Sequence, residues 1–151
     1  VNTAEEMYNK TLENLPCDVA IFCAAVGDFK VKNLSENKVK KNNDLKLDFK
    51  KNIDILKLIS KSNNKPKLVI GFSAETNNLH SNSKQKLQNK SCDWIIANDV
   101  SKNDIGFDSD FNEVSIFYKD KNVEDEIISK TYKSVIADEI VKRVINQLNL
   151  I

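Results

Sequence analysis

Apolar and polar positions along the chain alternate between helical and extended patterns. Residues 1–15 read as a helix, with Thr3 as N-cap, Glu5 and Glu6 in the first turn, and Met7 and Leu12 as apolar contacts. Pro16 ends it. Asp18 to Ala25 is almost continuously apolar, the pattern of a strand buried on both faces, and Gly27-Asp28 closes it. Lys30 to Asn43 is polar and lysine-rich without a sustained period, which predicts a loop or flap. Leu45, Leu47 and Phe49 alternate with Lys46, Asp48 and Lys50, the pattern of a half-buried strand. Asn52 is then placed to cap a helix carrying Ile55, Leu56, Leu58 and Ile59, with Asp54 in its first turn.

Pro66 precedes a strand over Leu68 to Phe72. A helix is predicted over Ser83 to Lys90, and a buried strand over Cys92 to Ala97. Gly106 to Asp110 reads as a loop. Val114, Ile116 and Tyr118 mark a further strand, Lys119 to Asn122 a hairpin turn, and Ile127-Ile128 part of the returning strand. Val135, Ile136, Ile140, Val141, Val144, Ile145 and Leu148 recur at helical spacing. Helix and strand alternate, so the expected fold is α/β, a mostly parallel sheet ending in an antiparallel hairpin.

Composition narrows the class. A chain of 151 residues, 40% hydrophobic and 30% charged, fits one globular domain. No apolar run reaches the roughly 20 residues of a membrane span, so no membrane partner is expected. A net charge of +1 argues against a nucleic-acid surface. Cys17, Cys23 and Cys92 are odd in number and set among apolar residues, which predicts buried free thiols and a cytoplasmic protein. Of 23 basic residues only Arg143 is an arginine, so a bound anion would meet lysine charges and backbone N–H groups.

Three strand ends carry small and polar residues: Ala24 to Asp28, Gly71 to Asn78, and Ala97 to Ser101. In a parallel sheet such ends are neighbours, and ligands bind beyond them. Lys38-Val39-Lys40-Lys41 lies in the flap, where it could close on polyphosphate. Lys86 and Lys90 share one helix face, where like charges repel unless an anion sits between them. His80 is the only histidine and lies beside Ser81 and Asn82 in what reads as a polar loop, against a catalytic triad or a histidine metal site. The chain has three glycines and neither a dinucleotide nor a Walker fingerprint.

In this order and spacing, Ala24-Ala25-Val26-Gly27-Asp28-Phe29, Lys38 to Lys41, Gly71 to Asn78 and Ala97 to Ser101 resemble the phosphopantothenate–cysteine ligase family. The resemblance covers essentially the whole chain. It implies a Rossmann-like sheet, and a homodimer held by an arm that the Leu45–Phe49 segment resembles. It also implies a CTP-dependent reaction with Mg²⁺. The carboxylate of 4′-phosphopantothenate is activated as an acyl-cytidylate, and the amine of cysteine then forms the amide. Carried over by position, Phe22, Cys23, Ala24, Asp28, Asn52, Ile53, Asp54, Ile55, Phe72, Lys86 and Lys90 contact the nucleotide. Lys38 neutralises phosphate and developing charge, and Ala25 meets the acyl group. Metal ligands are not assigned. Ile53 stands where relatives often have Pro, and Gly27 where Ala is common.

An upstream Ser-Asn-x-Ser-Ser-Gly-type motif of the family does not occur. The chain is therefore expected to be one domain, residues 1–151, lacking the first βα units. Two other readings stay open: another nucleotide-dependent Rossmann-like enzyme such as a reductase, and a non-catalytic nucleotide-binding dimerisation module.

Overall fold

The computed structural model describes residues 1–33, 46–101 and 109–149. The chain runs α1 (Ala4–Glu13), β1 (Val19–Phe22), β2 (Phe29–Val31), β3 (Phe49–Lys51), α2 (Ile55–Ser60), β4 (Leu68–Glu75), α3 (Leu79–Lys90), β5 (Trp94–Asp99), β6 (Phe111–Tyr118), β7 (Glu126–Tyr132) and α4 (Lys133–Leu148). The main sheet has the order β1-β4-β5-β6-β7. β1, β4 and β5 pair in parallel, and β6 and β7 add antiparallel. This is the expected α/β sheet with an antiparallel hairpin at the end. β2 and β3 form a separate two-stranded ribbon.

Alternation along the strands divides the core in two, because successive side chains point to opposite faces. Leu68, Ile70, Trp94, Ile96, Val114 and Ile116 face Ile136, Ile140 and Val144 of α4. Val69, Ile95, Ala97 and Phe117 pack on the other face with Leu87 of α3 and Leu56 of α2. Gly71 lets α2 approach β4 closely: a Cβ there would lie 2.5 Å from Leu56 Cδ2 and 3.0 Å from Ile95 Cδ1.

Several sequence expectations change. The first strand is shorter than Asp18 to Ala25 and is not buried on both faces; Ile21 is 45% exposed. Among the described residues β1 has one neighbour, β4, so only one edge of it is covered. The Leu45–Phe49 strand is replaced by Phe49–Lys51, all three residues exposed, because among the described residues no second layer covers the ribbon. Leu47 precedes it in extended chain, and Leu45 lies outside the described residues.

The helix expected from Ser83 starts at Leu79, with Asn78 at φ 46° as its N-cap residue. His80 and Asn82 therefore lie on α3 rather than in a loop. The cap of α2 is Asp54, whose Oδ1 accepts from Lys57 N at 3.1 Å, not Asn52. Of the three free thiols only Cys92 is buried; Cys17 and Cys23 are exposed. At the N-terminus the expected cap holds, with Thr3 Oγ1 accepting from Glu6 N at 3.1 Å.

Candidate nucleotide cleft

β1 and β4 run parallel, so their carboxyl ends open on the same side of the sheet. A cleft of about 660 Å³ lies there, within the roughly 300–1,000 Å³ usual for small-molecule sites. The loop after β1 supplies Ala24, Ala25 and Asp28, and β4 supplies Phe72, Ser73 and Ala74. The segment entering α2 supplies Asn52 to Leu56, and α3 supplies Lys86 and Lys90.

These walls are fastened to one another. Asn52 Nδ2 donates to Gly27 O at 3.0 Å, and Asn52 N donates to Asp28 O at 2.8 Å. Asn52 Oδ1 accepts from Ile53 N at 3.0 Å. Asn52 thus braces the β1 loop instead of capping α2. Phe72 is 37% exposed at the cleft, an aromatic face left open in the middle of a buried strand.

Each lysine of the α3 pair has its own carboxylate. Lys90 Nζ donates to Asp54 Oδ2 at 2.7 Å. Lys86 Nζ donates to Glu75 Oε1 at 2.6 Å and to Ser73 Oγ at 2.7 Å. Glu75 is 8% exposed. Its Oε1 also accepts from the Ser73 hydroxyl, and its Oε2 accepts from Asn82 Nδ2 at 3.1 Å. Burial alone would raise its pKa. The hydrogen bonds from Lys86, Ser73 and Asn82 outweigh that and hold the carboxyl below its ordinary range.

Of the residues expected at the site, Phe22, Ala24, Ala25, Asp28, Asn52, Ile53, Asp54, Ile55, Phe72, Lys86 and Lys90 line one cleft. Cys23 is exposed and lies outside that lining, and Lys38 lies outside the described residues. The third strand end, Ala97 to Ser101, is not part of the wall, nor are Asn77 and Asn78. Met7, Leu56 and Ile95 join the lining without having been expected there. Their sequence signal is ordinary core hydrophobicity.

An open crevice at the carboxyl ends of parallel strands, with lysines on the adjoining helix, defines a class: an α/β protein with its candidate ligand site at the strand ends. The particular family follows from relatives. Residues 1–148 match the DNA/pantothenate metabolism flavoprotein C-terminal domain, and the chain belongs to that family. The chain is 31% identical over 148 residues to the coenzyme A biosynthesis bifunctional protein CoaBC of Vibrio vulnificus (strain CMCP6), covering 95% of this chain and 36% of that protein. It is 38% identical over 146 residues to the CoaBC protein of Borreliella burgdorferi, covering 94% and 36%. The chain therefore spans about a third of the length of these relatives.

A crystal structure of the C-terminal domain of a CoaBC protein superposes with a TM-score of 0.76 at 27% identity, covering 99% of this chain and 64% of that one. A DNA/pantothenate metabolism flavoprotein from Streptococcus pneumoniae, at 19% identity and a TM-score of 0.74, shares the fold; the match covers 95% of this chain and 70% of that one.

Proposed function

We propose that this chain supplies the nucleotide side of a phosphopantothenate–cysteine ligase acting in coenzyme A biosynthesis, with CTP as the nucleotide. The observation that carries the reading is the meeting of Phe72, the small residues Ala24 and Ala25, and the lysines Lys86 and Lys90 in one cleft. An aromatic face suits a base or ribose, small residues admit a close ligand, and lysine charges suit a triphosphate. The names of the relatives support coenzyme A biosynthesis as the setting.

In this reading a carboxylate oxygen of 4′-phosphopantothenate attacks the α-phosphorus of CTP. Pyrophosphate leaves, and an acyl-cytidylate forms. The amine of cysteine then attacks the acyl carbon, CMP leaves, and the amide remains. Lys86, Lys90 and Lys38 offset phosphate charge, and Ala25 lies beside the acyl group. Magnesium keeps most of its waters and binds through one or two carboxylates plus phosphate oxygens. Asp28 in the cleft would suit that mode; among the described residues no group of three or more potential metal ligands occurs. The ribbon of β2 and β3 serves as the arm of a homodimer. The free thiols suit a cytoplasmic setting.

Two measurements test this. CTP with Mg²⁺ should raise the melting temperature more than ATP or NADH, and Lys38→Ala should shrink the shift. Equal shifts for all three would favour a less selective nucleotide-binding protein. Pyrophosphate release from CTP and 4′-phosphopantothenate should then be followed with and without cysteine. It should be run on this chain and on a chain extended to the length of the relatives. No release from either would reject the ligase.

A further inference from the structure

Glu75 has no assigned part in the cleft, yet it is the most buried carboxylate beside it. Ser73 and Glu75 stand two apart on β4 and share a face, and Asn82 and Lys86 stand four apart on α3 and share another. The two faces meet. Glu75 Oε1 takes Lys86 Nζ at 2.6 Å, Ser73 Oγ takes it at 2.7 Å, and Asn82 Nδ2 holds the other carboxylate oxygen at 3.1 Å. Glu75 is 8% and Ser73 5% exposed, whereas the Lys86 side chain is 43% exposed and lines the cleft. A lysine ammonium has three donors. Two are occupied on the buried side, which leaves the third for an acceptor in the cleft.

We propose that Glu75, with Ser73, is a positioning residue that fixes Lys86 at the cleft rim with one donor directed to a phosphate oxygen of the nucleotide. This rests on the nucleotide reading given above. A free lysine side chain loses much conformational freedom when an anion captures it, and one already held loses less. A carboxylate beside an exposed cation ordinarily weakens anion binding. Here it is buried and saturated with hydrogen bonds, and it removes the repulsion between Lys86 and Lys90 that their spacing would otherwise bring.

The test is steady-state pyrophosphate release by the full-length protein carrying Lys86→Ala, Glu75→Gln, both changes, or Ser73→Ala. Glu75→Gln should raise the KM for CTP about tenfold, the size of one charge-assisted hydrogen bond, with kcat little changed. The double variant should be no worse than Lys86→Ala alone, since Glu75 acts through that lysine. Ser73→Ala keeps the carboxylate and should raise KM by a smaller factor, so it reads the same effect if Glu75→Gln folds poorly.

Additive penalties in the double variant would overturn the proposal. So would an unchanged KM in Glu75→Gln while Lys86→Ala raises it, and that result would leave the nucleotide reading intact. An unchanged KM for CTP in Lys86→Ala would instead remove Lys86 from the nucleotide site, and the positioning role with it.

Discussion

Cys92 is buried with Val69, Leu87 and Phe117, and burial pushes its thiol up to about 12. At neutral pH it stays protonated and shielded, and thiolate is the reactive form. Cys17 and Cys23 are exposed. Iodoacetamide applied to the native protein should therefore modify Cys17 and Cys23 within the time that leaves Cys92 intact. Peptide mass spectrometry would read this out, and equal labelling of all three would refute the packing described. Local sequence does not separate them: Cys92, the buried one, lies between Ser91 and Asp93, whereas the exposed Cys23 lies between Phe22 and Ala24. What separates them is tertiary: Cys92 enters the centre of the sheet under α3, and Cys17 and Cys23 flank its β1 edge. The part of Glu75 was hidden for a similar reason. Its partners Asn82 and Lys86 come from another element, and no short motif links them.

At the scale of elements, α4 is fastened to the β6–β7 hairpin by the only arginine of the chain. Arg143 donates to Glu126 Oε2 from Nε at 3.0 Å and from Nη2 at 2.8 Å, and to Glu139 Oε2 at 2.9 Å. Tyr118 Oη donates to the other oxygen of Glu126 at 2.6 Å. The Tyr118 hydroxyl first, and then Arg143, hold the Glu126 carboxyl below its ordinary range. A carboxylate whose folded pKa is lowered adds stability that is fully present above its unfolded value, about 4.3 for Glu. That stability is lost as pH falls through the lowered folded value. Glu75 obeys the same sign. The urea midpoint should thus decline as pH drops below about 4.3, and less steeply in Glu126→Gln. Arg143→Lys cannot reproduce the forked contact and should cost about 1–2 kcal/mol in urea unfolding. An unchanged midpoint would show the clamp to be without weight.

Elements with a strong period were legible in the sequence. The helix α4 and the strand β6 appear where they were expected: Ile136, Ile140 and Val144 are buried against Val114 and Ile116, while Phe117 enters the opposite core and Val135 and Val141 stay exposed. Burial of β1 was not legible, because an apolar run records what a strand can bury and not which neighbours it has. Nor was the choice between Asn52 and Asp54 as the α2 cap. Both are good caps, and the decision falls to Gly27, whose carbonyl takes the Asn52 side chain. The start of α3 was missed because His80 to Asn82 is polar, yet Leu79 packs on the second core and Asn82 bonds to Glu75 and the Asn77 carbonyl.

For the molecule as a whole, the ribbon leaves Phe29 62% and Phe49 60% exposed. In its antiparallel register Val31 faces Phe49 and Phe29 faces Lys51, so both rings lie on one side and Lys30 and Lys50 on the other. The side with both rings, which also carries Val31 and Lys51, is the contact face that the homodimer proposed above would use. Light scattering after size exclusion should give a dimer mass, and Phe29→Ser with Phe49→Ser should give a monomer with the same far-ultraviolet circular dichroism. A dimer that survives both changes would exclude the ribbon as the contact.

The missing side chain at Gly71 reaches further than the packing it permits. Leu56 can sit against β4 only because nothing projects there, and Leu56 lies two residues beyond Asp54, the anchor of Lys90. A methyl group at position 71 would have to turn aside the ends of the Leu56 and Ile95 side chains, both of which line the cleft. The interior of the strand thus sets the shape of the cleft wall, and Gly71→Ala would show itself in ligand affinity as well as in melting temperature.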